Sequence, residues 1–283
     1  MTKKIPNTTA PLLVTGINLS AAWSEVFIHI IDHPGTQISP LVLSITGFDE
    51  NGVAIEDAAV RCALDAALTL EDQYNTEDVA YTIFPQRLWT MARGNRKTLF
   101  EFYRMAFPAY QAANRSLNRK GLYFERLVNY GRGPKGGNQL EWILSQYEER
   151  HSVRKSMLQA SVFDPEHDHV ADAQISFPCL QQVSFVPSPA GLVVNAFYAT
   201  QQVFNKAYGN YLGLAQLGAF MAHEMKIPLA RINIMAGIEK LDKIGKTDAA
   251  LVPLVEAARA CIARHKNPDG GVAMAAPPQL AAA

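Results

Sequence analysis

Residues 177–211 read FPCLQQVSFVPSPAGLVVNAFYATQQVFNKAYGNY, and the reading of this stretch decides the fold. Leu180 to Val186 and Leu192 to Thr200 are two β-prone runs, joined by Ser188-Pro189-Ala190-Gly191. Two such runs with a Pro/Gly connection predict a β-hairpin. Cys179 stands directly after Pro178 at the mouth of that hairpin. Tyr208-Gly209-Asn210-Tyr211 then opens a strongly apolar helix, Tyr211 to Met225. A thiolate is a soft nucleophile able to add to an electron-poor ring carbon, provided its pKa is lowered. The competing reading of Cys179 is a buried strand cysteine. Asn210 carries both a donor and an acceptor, so it can pair with a ligand group that offers both. It also suits a helix N-cap.

Working outward, Leu19, Trp23, Val26, Phe27 and Ile30 recur at helical spacing after the cap-like Asn18, predicting a helix over 19–33. Gln37 to Phe48 is β-branched and ends at the turn signal Asp49-Glu50-Asn51-Gly52. Residues 54–71 are Ala/Leu-rich and predict a helix. Thr82 to Ala92 and Lys97 to Ala106 predict helices separated by Arg93-Gly94-Asn95. Asn129 to Asn138 is a basic glycine loop, and Gln139 to Arg150 an amphipathic helix. Ser156 to Phe163 and Ala230 to Ala236 read as strands, Asp248 to Arg264 as a helix. Strands and helices mixed without regular alternation predict the α+β class. We divide the chain into an N-terminal arm (1–16), a single domain (17–268) and a mobile Ala/Pro-rich tail (269–283).

The 283 residues carry zero formal net charge and are 48% hydrophobic. There is no global basic field to hold nucleic acid or an anionic membrane, so an anionic ligand needs a local cluster. No apolar run reaches bilayer-spanning length, and the N-terminus lacks a signal-peptide pattern. Cys62, Cys179 and Cys261 are widely spaced and odd in number, which argues against a disulfide framework. A cytoplasmic setting is the expectation. Cys62 and Cys261 sit in helical Ala/Leu runs and read as core.

Three further motifs are spaced in order around Cys179 and Asn210. Asn129-Tyr130-Gly131-Arg132 is a tyrosine-glycine loop preceding a helix. Glu149-Arg150-His151-Ser152-Val153-Arg154-Lys155 places two cations before a strand. Gln86 precedes Trp89 by three residues. Over roughly residues 80–240 the chain resembles the thymidylate synthase superfamily. The resemblance implies a three-layer α+β fold around a warped mixed β-sheet, forming a homodimer by back-to-back sheet packing with an isologous interface. It implies addition of Cys179 to carbon 6 of a pyrimidine nucleotide or nucleoside. Carbon 5 would then take a methyl or hydroxymethyl unit from 5,10-methylene-tetrahydrofolate. Cys179, Gln86 and Tyr130 would form the catalytic set. Asn210 would read the base, Thr200 would join Arg154 and Lys155 in anchoring the phosphate, and Gln202 and Gln181 would complete the substrate-binding set. Arg154 and Lys155 would cross the interface to the partner's substrate phosphate.

The departures from the family pattern are chemical. Its catalytic glutamate falls on Gln86, and its arginine-serine-x-aspartate appears as Ala199-Thr200-Gln201-Gln202. Its histidine after the cysteine is Leu180. Its ribose-binding histidine and tyrosine would fall near Gly237 to Leu241, where neither type occurs. A glutamine cannot move a proton, so Gln86 and Gln202 can only orient water. Two readings follow: an enzyme with an altered proton path, or a catalytically inactive nucleotide-binding, regulatory or assembly protein on the same fold.

Other motifs carry less. Glu166-His167-Asp168-His169 reads as a solvated acidic loop in preference to a metal site. His223-Glu224 reads as helix surface. Gly131-x-Gly133-x-x-Gly136-Gly137 lacks the βαβ context of a dinucleotide fingerprint, though Arg132 and Lys135 give it charge to cover a phosphate. Tyr103, Phe107, Tyr110, Tyr123 and Phe124, interleaved with Arg104, Arg115, Arg119, Lys120 and Arg126, read as a packed helix with a basic outer face in preference to a nucleic-acid surface.

Overall fold

The computed structural model of the chain describes residues 10–114, 118, 121–169 and 178–266. The start of the expected arm, the tail from 269, Phe177, Arg115, Arg119 and Lys120 lie outside the described residues. Seven strands form one open mixed sheet: β1 (Leu12–Gly16), β2 (Gln37–Ile38), β3 (Leu41–Ile45), β4 (Gln159–Ser161), β5 (Leu180–Ser188), β6 (Gly191–Gln202) and β7 (Leu229–Lys240). Their order is β1-β3-β7-β6-β5-β4, with β2 beside β7. The β1–β3 and β6–β7 pairs are parallel and the rest antiparallel. The α+β class expected from the pattern is what forms.

The helices are α1 (Leu19–Asp32), α2 (Ala58–Leu70), α3 (Thr76–Tyr81), α4 (Gln86–Met91), α5 (Arg96–Ala113), α6 (Tyr123–Val128), α7 (Gln139–Glu149), α8 (Pro165–Asp168), α9 (Tyr208–Met225) and α10 (Val252–Lys266). Asn18 caps α1 by accepting from the Ala21 amide at 3.0 Å, as its type predicts. α1 and α9 pack on the sheet, α10 packs on α1 and α2, and α3 packs on α9.

Several boundaries differ from the sequence reading. Leu12–Gly16, expected within the arm, is strand β1, because its backbone finds a parallel partner in β3. The helix expected over Thr82–Ala92 is split. α3 ends at Tyr81, and α4 starts only after Pro85, whose ring cannot continue a helix. α5 runs past Ala106 to Ala113, and β4 covers only three residues of Ser156–Phe163. The acidic loop is a short helix in which Glu166, His167 and His169 are exposed as expected, but Asp168 is fully buried and paired with Arg126 at 2.6 Å. Cys261 is buried as expected, but Cys62 is exposed, since α2 turns Val60, Leu64, Ala67 and Leu68 inward instead.

The sheet has one covered and one open face. On β6 the buried side chains run Val194, Ala196, Tyr198 and then Gln201. On β7 they run Ile232, Ile234, Ala236 and then Glu239. Both strands take a step of three residues in place of two at one level, since Tyr198 pairs with Ala236 and Gln201 with Glu239. β5 slips register beside them, between Leu180 and Gln182. A bulge of this kind re-aims the side chains that follow it. Here three adjacent strands turn together next to Cys179. On the open face Leu13, Val42, Met235 and Phe197 form one cross-strand row of exposed apolar side chains.

One arginine ties three helices. Arg96, the first residue of α5, meets Glu141 and Glu148 of α7 at 3.0 and 2.5 Å and Glu224 of α9 at 2.8 Å. Glu224 therefore belongs to a partly buried network and not to open helix surface. Removing the cation leaves three carboxylates facing one another, so Arg96→Met is expected to cost on the order of 2 kcal/mol in urea unfolding. Hydrogen bonding to Arg96 holds the Glu148 carboxyl below its usual range. A depressed carboxyl contributes stability that is present above the unfolded-state pKa, about 4.3, and lost as pH falls through the folded value. The acid-side loss of stability should therefore be shallower in Arg96→Met.

Candidate functional site

The bulged strand ends open onto a cavity of about 860 Å³. Pro178 and Cys179 enter it at the foot of β5. Thr200, Gln201 and Gln202 enter from the end of β6, and Asn210 from the first turn of α9. Gln86 and Arg87, at the start of α4, and Tyr123, at the start of α6, form the facing wall. Five of the residues expected from the sequence (Cys179, Gln86, Thr200, Gln202 and Asn210) thus meet around one space, although Gln86 and Asn210 are separated by 124 positions.

Asn210 does not cap α9. A π-helical turn, Val203–Ala207, feeds directly into the helix, and Ala207 holds the cap position with helical backbone angles. Its side chain is thereby released from capping and lies in the cavity wall, 4% exposed. Single π turns inside helices often mark functional positions. This one also sets Asn205 and Lys206 in the wall.

The thiol of Cys179 lies against the Tyr123 hydroxyl, which also faces the amides of Cys179 and Leu180. Cys179 is exposed to the cavity, so it is not the buried strand cysteine of the competing reading, and partial desolvation by the surrounding wall raises its thiol pKa. The Tyr123 hydroxyl and the charges of Lys240 and Lys206 pull it down, and Glu239 pushes it up. Lys206 is half-buried, with its ammonium 5.3 Å from the centre of the Tyr74 ring. Burial lowers its pKa, and neighbouring Lys243 lowers it further. Arg87, Lys206 and Lys243 line the cavity, and among the described residues none has a carboxylate partner. By contrast Lys240 meets Asp242 at 2.9 Å, and Gln202 donates to the same carboxylate at 3.0 Å.

Two amides in the wall have polar atoms without partners. Among the described residues Gln201 lacks partners for both side-chain atoms. Asn205 donates to Gln73 at 3.3 Å but leaves its Oδ1 unsatisfied. Buried polar groups of this kind normally find a partner, so a wall that leaves them open is suited to a ligand with donors and acceptors of its own.

The other expected site residues lie elsewhere. Tyr130 donates to the Phe163 carbonyl at 3.0 Å, outside the cavity wall. Gln181 donates to the Pro178 carbonyl and buttresses the segment that carries Cys179. Arg154 and Lys155 are exposed at the short 3-10 turn Lys155–Met157 and do not line this cavity. Arg132 is held by Asp164 and Glu166, so it is not free to cover a phosphate. Tyr103 and Phe124 are core side chains.

Sequence reading missed Tyr123, Gln201, Asn205, Lys206 and Lys243. The accessible signal was Lys206, one helical turn before Asn210. Its lack of a counter-ion is visible only once the chain is folded. A scan against protein-family models and a search of curated proteins find no match to this chain.

Proposed function

We propose that this protein is a thymidylate synthase-like transferase that modifies carbon 5 of a uracil-type nucleotide through a Cys179 adduct. The observation that carries this reading is the convergence of Cys179, Thr200, Gln202, Asn210 and Gln86 on one cavity with unpaired cations. Cys179 adds to carbon 6, and the electron pair of the ring double bond moves to carbon 5. Asn210 offers the donor and acceptor that an imide edge requires. Lys206 and Lys243 supply a phosphate anchor from within the same chain. 5,10-Methylene-tetrahydrofolate is the proposed one-carbon donor. Gln86 orients water in this scheme and moves no proton.

We place the protein in the cytoplasm as a homodimer packed through the open sheet face. The exposed row of Leu13, Val42, Met235 and Phe197 supports that packing, because contiguous apolar surface favours burial against a partner. Among the described residues no helix is long and apolar enough to cross a membrane.

A second reading, a nucleotide-binding protein without turnover, is favoured by Gln86 and by the raised thiol pKa. Mass spectrometry of the denatured protein after incubation with 5-fluoro-dUMP, with and without methylene-tetrahydrofolate, separates the two. A covalent adduct on Cys179 is the expected result, and dependence on folate identifies the donor. No adduct, with Cys179 still open to a thiol reagent, favours the binding protein.

The phosphate anchor is tested separately. Charged hydrogen bonds contribute about 1.5–3 kcal/mol each, so Lys206→Ala should weaken a nucleoside monophosphate about tenfold or more. Lys243→Ala should act in the same direction. Calorimetry with the matching nucleoside should show little change, and an equal loss for both ligands would disprove the anchor.

A further inference from the structure

Glu239 is the buried acid that the proposed reaction does not yet use. It is 0% exposed, and neither carboxyl oxygen has a hydrogen-bond partner among the described residues. Its register partner across the β6–β7 ladder is Gln201, 2% exposed, which lines the cavity and is itself unpartnered at both amide atoms. The buried hydroxyls of Tyr198 on β6 and Tyr211 on α9 also lack partners, and both feel the charge state of Glu239. So does the Cys179 thiol. On its other side, β2 offers only the apolar Ile38. The cations Lys240 and Lys206 act on the thiol, Lys240 is paired with Asp242, and no charge offsets the burial of Glu239. Burial without a counter-ion raises the pKa of this carboxyl well above the usual carboxylate range. Four unsatisfied polar side chains in one interior patch are the setting in which ordered water is held.

We propose that Glu239 is the proton donor of the Cys179 cavity, acting through ordered water held between Gln201, Tyr198 and Tyr211. The assignment rests on the pyrimidine reading above, and it supplies the proton path that Gln86 does not. The Cys179 thiolate forms the bond to carbon 6, and the ring electron pair moves to carbon 5. The proton from Glu239 arrives at carbon 5. The resulting carboxylate then takes the original carbon 5 proton as the carbon–sulfur bond breaks, which returns thiolate, acid and pyrimidine. In heavy water without folate the net event is exchange of the carbon 5 hydrogen for deuterium.

The experiment compares wild type with Glu239→Gln, using dUMP exchange in heavy water and 5-fluoro-dUMP adduct formation. The variant is expected to form the adduct, since its nucleophile is intact, but to exchange about 100–10,000-fold more slowly. Exchange at the wild-type rate in the variant overturns the proposal. A wild type that forms no adduct overturns the Cys179 transferase reading on which this assignment rests. Infrared spectroscopy of wild type at neutral pH then decides Glu239 independently. A carboxylic-acid band that Glu239→Gln removes upholds the buried acid, and its absence from wild type overturns it. The infrared arm also stands if Glu239→Gln does not fold, because the wild-type band can be sought alone.

Discussion

Cys179→Ser is expected to reduce covalent capture of 5-fluoro-dUMP below detection while leaving the fold intact. A serine hydroxyl is almost never ionised near neutral pH, and the cavity contains no paired base that would activate it among the described residues. The thiol is different, because a thiol ionises far more readily than a serine hydroxyl and its thiolate is the stronger nucleophile. Adduct formation in wild type should accordingly accelerate as pH rises toward the thiol pKa. Lys206→Ala removes one of the charges that pull this pKa down, so its rate profile should move to higher pH. Serine keeps a hydroxyl near Tyr123, so the stability change should stay within about 1 kcal/mol. Urea unfolding monitored by circular dichroism checks the fold, and mass spectrometry checks the adduct. An adduct of undiminished yield in Cys179→Ser would place the nucleophile elsewhere.

Gly213→Val is expected to have the largest effect on stability. Gly209 and Gly213 lie one turn apart on α9 and face α3 and its continuation. A Cβ on Gly213 would lie 2.7 Å from the Ala80 carbonyl oxygen and 2.9 Å from the Ile83 Cβ. One on Gly209 would lie 2.6 Å from the Thr76 carbonyl oxygen. The two carbonyl oxygens are backbone and the Ile83 Cβ is fixed directly to it, so none can swing aside and the helices must separate. Each helical glycine costs about 1 kcal/mol relative to alanine, and here that cost permits close approach of two backbones. Valine at 213 adds three carbons to this contact, so the loss should reach the upper end of the roughly 1–3 kcal/mol typical of overpacking. The corresponding fall in Tm is on the order of 10 °C. Because Asn210 adjoins Gly209 and lies in the cavity wall, nucleotide binding should weaken together with stability. An unchanged Tm would show that α3 and α9 are not held at this distance.

Much of the local structure was legible in the sequence. The Cys179 hairpin, the helix capped by Asn18 and the apolar helix of residues 211–225 follow from period, turn chemistry and capping, all of which act within a few residues. The meeting of Cys179, Thr200, Gln202, Asn210 and Gln86 in one cavity was expected from the spacing of family-like motifs. Strand β1 was not legible, because Leu12–Gly16 becomes a strand only by pairing with β3. The role of Asn210 was ambiguous in the sequence, since asparagine before an apolar run also signals a cap. The π turn over 203–207 resolves it by carrying helical geometry past the expected start.

What the sequence alone determined is therefore the set of elements and the chemical types offered by Cys179 and Asn210. What only the tertiary structure decided is which charges lack partners and which acid is buried. Among the described residues Lys206 and Lys243 are left without carboxylates, and Glu239 is buried beside Gln201, by contacts among residues far apart along the chain. Sequence period reports which side of its own element a residue faces. The common step of β6 and β7, and the ion pairs formed across elements, depend on which segments become neighbours, and that is settled only when the sheet closes on its helices.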